Sequence, residues 1–367
     1  MCFCLNLLVL WEKNLKGRDF NMKRNTILTI LSIILLFVFL YYASHHFSRY
    51  TIIILNNIAI TMILAVSYNL INGITGQFSL APNGFAAVGA YTAALLSLTP
   101  AQKQAMFIID PIMPFLGSIH LPFLAALIVA GLVTAFFGFI LGFPVFRTRG
   151  DYLAIVTLGF GIVIDIVANN AITITNGPLG LKGISNYTNV WWSYGWLVFT
   201  IFVVMSIINS NYGRAMKAIR DDEDAAVAMG INTFKMKMIA FVVGAFFQGV
   251  AGGLLAHLIT TISPTLFTFF LTFNLLVIIV MGGLGSITGT VIATIVIVWG
   301  SELLRVFDQP MHIFGITTPG IPGLRMIIFA LLLILTMLFA REGIMGKKEF
   351  SWDWLFNAIK GGIKNGK

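Results

Sequence analysis

The sequence contains very little charge: Asp, Glu, Lys and Arg make up 10% of its 367 residues, against about 25% in a soluble domain. With 58% apolar residues, water cannot be its main solvent. Cysteine is nearly absent. Cys2 and Cys4 lie too close to the amino end to staple a fold, and one C-x-C lacks the second pair of a structural zinc site, so no metal is expected. Catalytic motifs are missing as well. There is no H-E-x-x-H, no paired catalytic carboxylates and no nucleophile elbow, and the tail GGIKNGK has phosphate-loop spacing but ends at Lys367 without the hydroxyl residue. The chain therefore reads as a non-enzyme without a cofactor. Its formal charge of +9 does not imply a nucleic-acid partner, because no basic face on a soluble module accompanies it.

What is present is apolar sequence in runs of about 17 to 25 residues, the length that crosses a hydrocarbon core as helix. The expected fold is all-α, a polytopic integral membrane protein in contact with lipid, with about ten spans: 27–43, 51–71, 78–98, 121–146, 152–172, 190–209, 237–258, 266–282, 287–306 and 323–340. Short loops rich in Lys and Arg favour the cytoplasm. With both termini cytoplasmic, 18 of the 23 basic residues fall inside, leaving Arg49, Lys103, Lys182, Arg305 and Arg325 outside or at outer helix ends. Gly73, Gly76, Pro82 and Gly84, and then Gly282, Gly283, Gly285 and Gly289, suggest that spans 3 and 8 to 9 are broken or re-entrant.

Three regions follow. Residues 1–26 form a cytoplasmic amino-terminal segment, in which Met22 is an alternative start that would leave 1–21 untranslated. Residues 27–346 form the transmembrane domain, and 347–367 a cytoplasmic tail. The run from 27 to 43 resembles a signal sequence but lacks the small residues of a cleavage site, so it reads as an uncleaved first helix.

The internal loop 210–237, SNYGRAMKAIRDDEDAAVAMGINTFKMK, has helical signals of its own. Asp222 can cap a helix with Glu223 and Asp224 in its first turn, and Gly230 sits where a helix ends. Ala225, Ala226, Ala228 and Met229 would give this short helix a small apolar surface suited to a partner's groove. The alternative is a solvated loop helix.

The stretch GRAMKAIRDDEDAAVAMGI resembles the EAA loop of ABC-importer permeases, with D-A-A-V-A-M-G in place of E-A-A-x-x-x-G. More widely, YNLINGITGQFSLAPNGFAAVGAYTAALL (68–96), FRTRGDYLAIVTLGFG (146–161), TNGPLGLKGIS (175–185), MGGLGSITGTVIA (281–293) and REGIMG (341–346) resemble the branched-chain amino-acid permeases of the LivM type, in order over residues 51–346. The resemblance implies a coupling loop at 210–237, with Gly213, Arg214, Arg220, Asp222, Glu223, Asp224, Ala225, Ala226, Met229 and Gly230 docking an ATPase. It also implies a sister permease of the LivH type as heterodimer partner, two ATP-binding cassette ATPase subunits, and an external amino-acid-binding protein landing near 99–120 and 173–190. The location would be a prokaryotic cytoplasmic membrane. Many relatives carry a Gly-His pair where this chain has Ala81, Pro82, Asn83 and Gly84, which keeps a urea or short-amide importer open as an alternative.

Gly-interrupted segments in the two halves of a transporter point to its pathway. Here they place Gln77, Ser79, Asn83 and Gly285 on a translocation route, although glycines at helix crossings explain the same pattern. Asp165 and His257 are ionisable groups inside spans, costly in lipid and often functional. Either could serve a proton-coupled secondary transporter or a solute path, and either could instead make an interhelical hydrogen bond.

Overall fold

An apolar run in lipid must satisfy its backbone groups within itself, and helix is the form in which one segment can do so. The computed structural model describes residues 27–107, 110–147 and 152–304, with Arg24 and short stretches between 311 and 349. Its elements are α1 (Ile27–His46), α2 (Arg49–Asn69) continuing as a π-helical turn (Leu70–Ile74), α3 (Pro82–Ser97), α4 (Pro100–Met106), α5 (Pro114–Ser118), α6 (Phe123–Val145), α7 (Tyr152–Asn170), α8 (Ile172–Thr175), α9 (Val190–Asn209), α10 (Asn211–Asp221), α11 (Glu223–Ala228), α12 (Thr233–Ile259), α13 (Phe269–Gly282) and α14 (Ile287–Leu304). The short strands β1 (Leu181–Lys182) and β2 (Thr261–Ile262) pair antiparallel, as do β3 (Met311–Ile313) and β4 (Ile316–Thr318).

Among the described residues, eight helices are long and apolar enough to cross a membrane, or nine if α3 and α4, bent by 117° against each other, form one span. The expected spans from 27 to 306 each meet one of these, and the span at 323–340 lies outside the described residues except at 328, 331 and 334. The first glycine-rich stretch does interrupt the helix, and the structure moves the start of span 3. Span 3 does not begin as helix at 78, because residues 75–81 are not helical and α3 starts at Pro82. Nor do the glycines at 282–289 break a helix in its middle. They end α13, turn the chain and open α14.

The chain divides into two units, Met1–Ile52 with Phe350–Lys367, and Ile53–Glu349. In the first, α1 is an apolar helix of mean hydropathy 2.4. The second is built on α3, α6 and α12, whose small residues allow backbones to meet where lipid offers no hydrophobic drive for association. A Cβ on Gly89 would lie 2.1 Å from the Gly249 carbonyl oxygen, and one on Gly252 would lie 2.0 Å from that of Ala86. On α6, Thr134 fills the space beside Gly249, where a Cβ would lie 2.3 Å from its Oγ1.

At the far end of α12, His257 is fully buried, with Nδ1 2.8 Å from the Gly253 carbonyl and Nε2 2.7 Å from Ser97 Oγ. The Phe123 ring packs edge-on to it at 4.8 Å. Both ring nitrogens are thus engaged, one of them in joining α12 to α3. Lys103, assigned by charge to the outer side, is also buried, its Nζ donating to the carbonyls of Leu116 (2.7 Å) and Ile119 (2.5 Å) and tying α4 to the segment around α5.

Candidate functional site

Loop 210–237 folds into two short helices whose ends follow from local chemistry. Gly213 lets α9 turn sharply into α10, since a Cβ there would lie 2.2 Å from the Ile208 carbonyl oxygen. Helix α10 then buries Gly213, Met216 and Ile219 at three-residue spacing. Asp222 ends α10 and caps α11, accepting a hydrogen bond from the Ala225 N–H at 2.9 Å, and Glu223 and Asp224 occupy the first turn of α11, where acids suit the dipole. Gly230 has φ +79° with open space around its Cα, so the left-handed turn itself, rather than crowding, calls for glycine.

This arrangement sorts the residues assigned to partner docking. Val227 and Met229 are 53% and 82% exposed, an unusual pair of apolar side chains at the surface of so charged a loop. Ala225, Ala228, Asp222, Glu223, Asp224, Arg214 and Gly230 are exposed with them. Three others turn toward the chain itself. Gly213 is consumed by the α9–α10 corner, and Ala226 packs into a cluster with Met216, Ile219, Met236 and Ile287. Arg220 reaches into the body of the protein. Lys237 on α12 meets Glu223 at 2.6 Å, a partly exposed pair that adds little stability.

The target of Arg220 is a junction of glycine-rich segments distant in sequence. Gly73, at the end of the π turn, lies so close to the α13–α14 turn that a Cβ on it would be 2.3 Å from the Gly285 nitrogen. Asn69 stitches the two together: Oδ1 accepts from the Gly285 N–H at 2.9 Å, and Nδ2 donates to the Ser286 carbonyl at 2.9 Å and to Thr290 Oγ1 at 2.7 Å. Arg220 Nη1 donates to the Gly73 carbonyl at 3.2 Å. From the far end of the chain, the Ile344 N–H donates to the Met281 carbonyl at 2.9 Å, and Glu349 accepts from the Ile287 and Thr288 N–H groups at 2.6 and 3.1 Å, a carboxylate at the start of α14.

Between the π turn and α3, residues 75–81 are not helical, and polar side chains partner several of their backbone groups. The Leu80 N–H donates to Thr157 Oγ1 (2.8 Å), the Ser79 N–H to Asn72 Oδ1 (3.3 Å), and the Tyr68 hydroxyl donates to the Ser79 carbonyl (2.7 Å). At the start of α3, the Asn83 N–H donates to Thr272 Oγ1 at 3.0 Å and Asn83 Nδ2 to the Phe267 carbonyl at 3.2 Å. Thr272 lies ten residues before Gly282 on α13, about 15 Å of helix, so this stretch carries the chain from the glycine junction deep into the bundle. Irregular backbone at such depth is tolerated where protein surrounds it.

Gln77, Ser79 and Asn83 are buried on or next to the unwound stretch, and Gly285 lies at the junction. Gln77 Nε2 donates to the Lys237 carbonyl at 3.2 Å, beside a cleft of about 270 Å³ that Arg220, Glu223 and Lys237 also line. Asp165 is half-buried on α7, with Asn169 Nδ2 3.3 Å from its Oδ1, one turn along from Gly161, where a Cβ would lie 2.7 Å from Asn83 Oδ1. The R-x-R-G motif at 147–150 falls largely outside the described residues. Sequence reading missed Tyr68, Asn69, Asn72, Thr157 and Thr272, although two asparagines three apart in an apolar run were a signal that those positions bond something. Asn69→Leu should destabilise the protein by about 2 kcal/mol, since it strands the Gly285 N–H; thermal unfolding in detergent measures this.

The comparisons with known proteins agree with this architecture. A family described as "Branched-chain amino acid transport system / permease component" matches residues 50–337. The high-affinity branched-chain amino acid transport system permease protein LivM of Escherichia coli is 34% identical over 296 residues, which cover 71% of this chain and 65% of that protein. The permease protein BraD of Pseudomonas aeruginosa is 28% identical, over 78% of this chain and 92% of its own length. LivH of Escherichia coli is 23% identical over 78% of this chain and 91% of its own. The match thus spans slightly less than two thirds of the LivM relative. No solved structure matches the chain. A multi-pass helical chain, matched from its second span almost to its end, belongs to the permease components of branched-chain amino acid transport systems.

Proposed function

We propose that this protein is the transmembrane permease subunit of an ATP-driven importer in a prokaryotic cytoplasmic membrane, moving leucine, isoleucine and valine delivered by an external binding protein. The observation that carries the reading is the family match across residues 50–337 together with an exposed helix, α11, ending in Met229 at 82% exposure. A loop helix that only needed solvation would not present two large apolar side chains to water; one that docks in a groove would. In this reading both termini are cytoplasmic, α11 is the coupling helix, and Ala225, Val227, Ala228 and Met229 meet the ATPase within a rim of Asp222, Glu223 and Asp224. The assembly is a heterodimer with a LivH-type sister and two ATPase subunits, with the binding protein seated on the outer segments near 99–120 and 173–190. Gln77 and Ser79 border the route of the solute.

A proton-coupled carrier is the weaker reading. His257, one of its two candidate proton carriers, has both ring nitrogens committed to α3 and its own helix, and the carrier reading gives the exposed face of α11 no role.

Tagged protein should copurify with a sister permease and ATPase subunits, and calorimetry of the cognate binding protein should show leucine, isoleucine and valine binding without urea. Binding of urea alone would overturn the substrate, and full activity of the isolated chain in liposomes under a proton gradient would overturn the motor.

A further inference from the structure

Arg220 lies in the last turn of α10, where its Nε and Nη2 donate to Asp221 Oδ1 at 3.1 and 3.0 Å, and its side chain is only 21% exposed. Its stem lies against the unwound stretch, since a Cβ on Gly76 would be 2.7 Å from Arg220 Cγ and 3.1 Å from its Cα. Gly76 has φ +74°, so both conformation and space demand glycine there. The guanidinium then enters the junction. Nη1 donates to the Gly73 carbonyl, and a Cβ on Gly285 would be 2.9 Å from that same nitrogen.

The physical reason for this placement is the end of a helix. The π turn stops at Ile74, leaving terminal carbonyls without intrahelical donors and the negative end of the helix dipole facing the cation. The Gln77 N–H satisfies one of these carbonyls, that of Ile71, at 3.1 Å; Arg220 satisfies that of Gly73. Unlike an ordinary cap, this one comes from a different element, 147 residues away, and that element leads within two residues into the one whose apolar side chains await a partner. A displacement of α11 cannot leave the cap undisturbed.

We propose that Arg220 is a positioning residue that links α11 to the unwound stretch. In the arrangement seen here it holds Gly73 against Gly285, and movement of α10 and α11 on the ATPase withdraws it and frees residues 75–81 to rearrange. The inference rests on the proposed function for its partner, but its geometry lies entirely within this chain.

The test compares wild type, Arg220→Gln and Arg220→Lys in the assembled complex, in proteoliposomes and by hydrogen-exchange mass spectrometry of residues 70–80. Arg220→Gln is expected to retain the ATPase subunits and hydrolyse ATP, with leucine moved per ATP falling roughly tenfold, within the usual span of coupling between sites. Arg220→Lys should recover part of that loss. ATP binding should alter exchange at 70–80 in wild type and leave it unaltered in Arg220→Gln. An equal exchange response in Arg220→Gln, or an unchanged ratio of transport to hydrolysis, overturns the link. Failure of both variants to reach the membrane also overturns it, by making Arg220 a static cap required for folding. If the wild-type complex hydrolyses ATP but moves no amino acid, the proposed function fails, while the exchange comparison still judges the link.

Discussion

Met229→Asp is expected to insert and fold like the wild type and yet lose its ATPase subunits on purification, with transport falling to background. The side chain is 82% exposed, so the substitution removes nothing from the chain's own core. Surface changes of this kind usually alter stability by no more than about 0.5 kcal/mol. At an interface the outcome differs. An apolar anchor at the centre of a small contact contributes about 2 kcal/mol or more, roughly a thirtyfold loss of affinity, and a carboxylate buried without a partner adds a desolvation cost. Val227→Asp, on the same exposed surface at 53%, should act in the same direction. Pull-down of the ATPase by tagged permease, with a thermal-unfolding control, separates docking from folding. Retention of ATPase by both variants would remove α11 from the interface.

The second large effect concerns the core. Gly252→Val should leave little folded protein, because its Cβ would lie 2.0 Å from the Ala86 carbonyl oxygen and 2.8 Å from the carbonyl carbon. No rotamer change relieves a clash between a Cβ and another helix's backbone, so α12 and α3 must separate. Separation opens the contact at Gly89 and Gly249 one turn away, and with it the seat of Thr134 from α6. The cost is about 3 kcal/mol, the upper end of the overpacking range, and appears as aggregated rather than monodisperse protein on size-exclusion chromatography. Gly195→Val is the matched control. Its Cβ would meet nothing within 4 Å, and the protein should behave as wild type.

Features encoded by neighbouring residues were legible in the sequence. Spans follow from apolar run length, and the limits of α11 follow from Asp222 and Gly230, whose signals act within one turn of helix. The start of α3 was legible too, in the preference of Pro82 for a first helical turn, but the apolar residues before it extended the expected span back to 78. The glycine junction was not legible. Gly73 meets Gly285, and Asn69 bonds Gly285 across 216 residues, through a fold that brings two turns together; glycines alone do not say what approaches them. The same limit applies within the loop. Three alanines on a two-turn helix look equivalent in sequence, but packing against α10 and α12 turns Ala226 inward and leaves Ala225 and Ala228 outside. Arg220 looked like one more charge in a charged loop because nothing local marks a side chain that leaves it.

The glycine junction also has a mechanical consequence. Contacts between long side chains are compliant, since a push of an ångström can be absorbed by hopping to another staggered rotamer. Where Gly73 meets Gly285, and Gly76 meets the stem of Arg220, there is far less slack. Main chain bears on main chain, so the contact behaves more like a gear tooth than a spring. Such a junction passes small displacements on almost undiminished, and an enlarged side chain there would jam it.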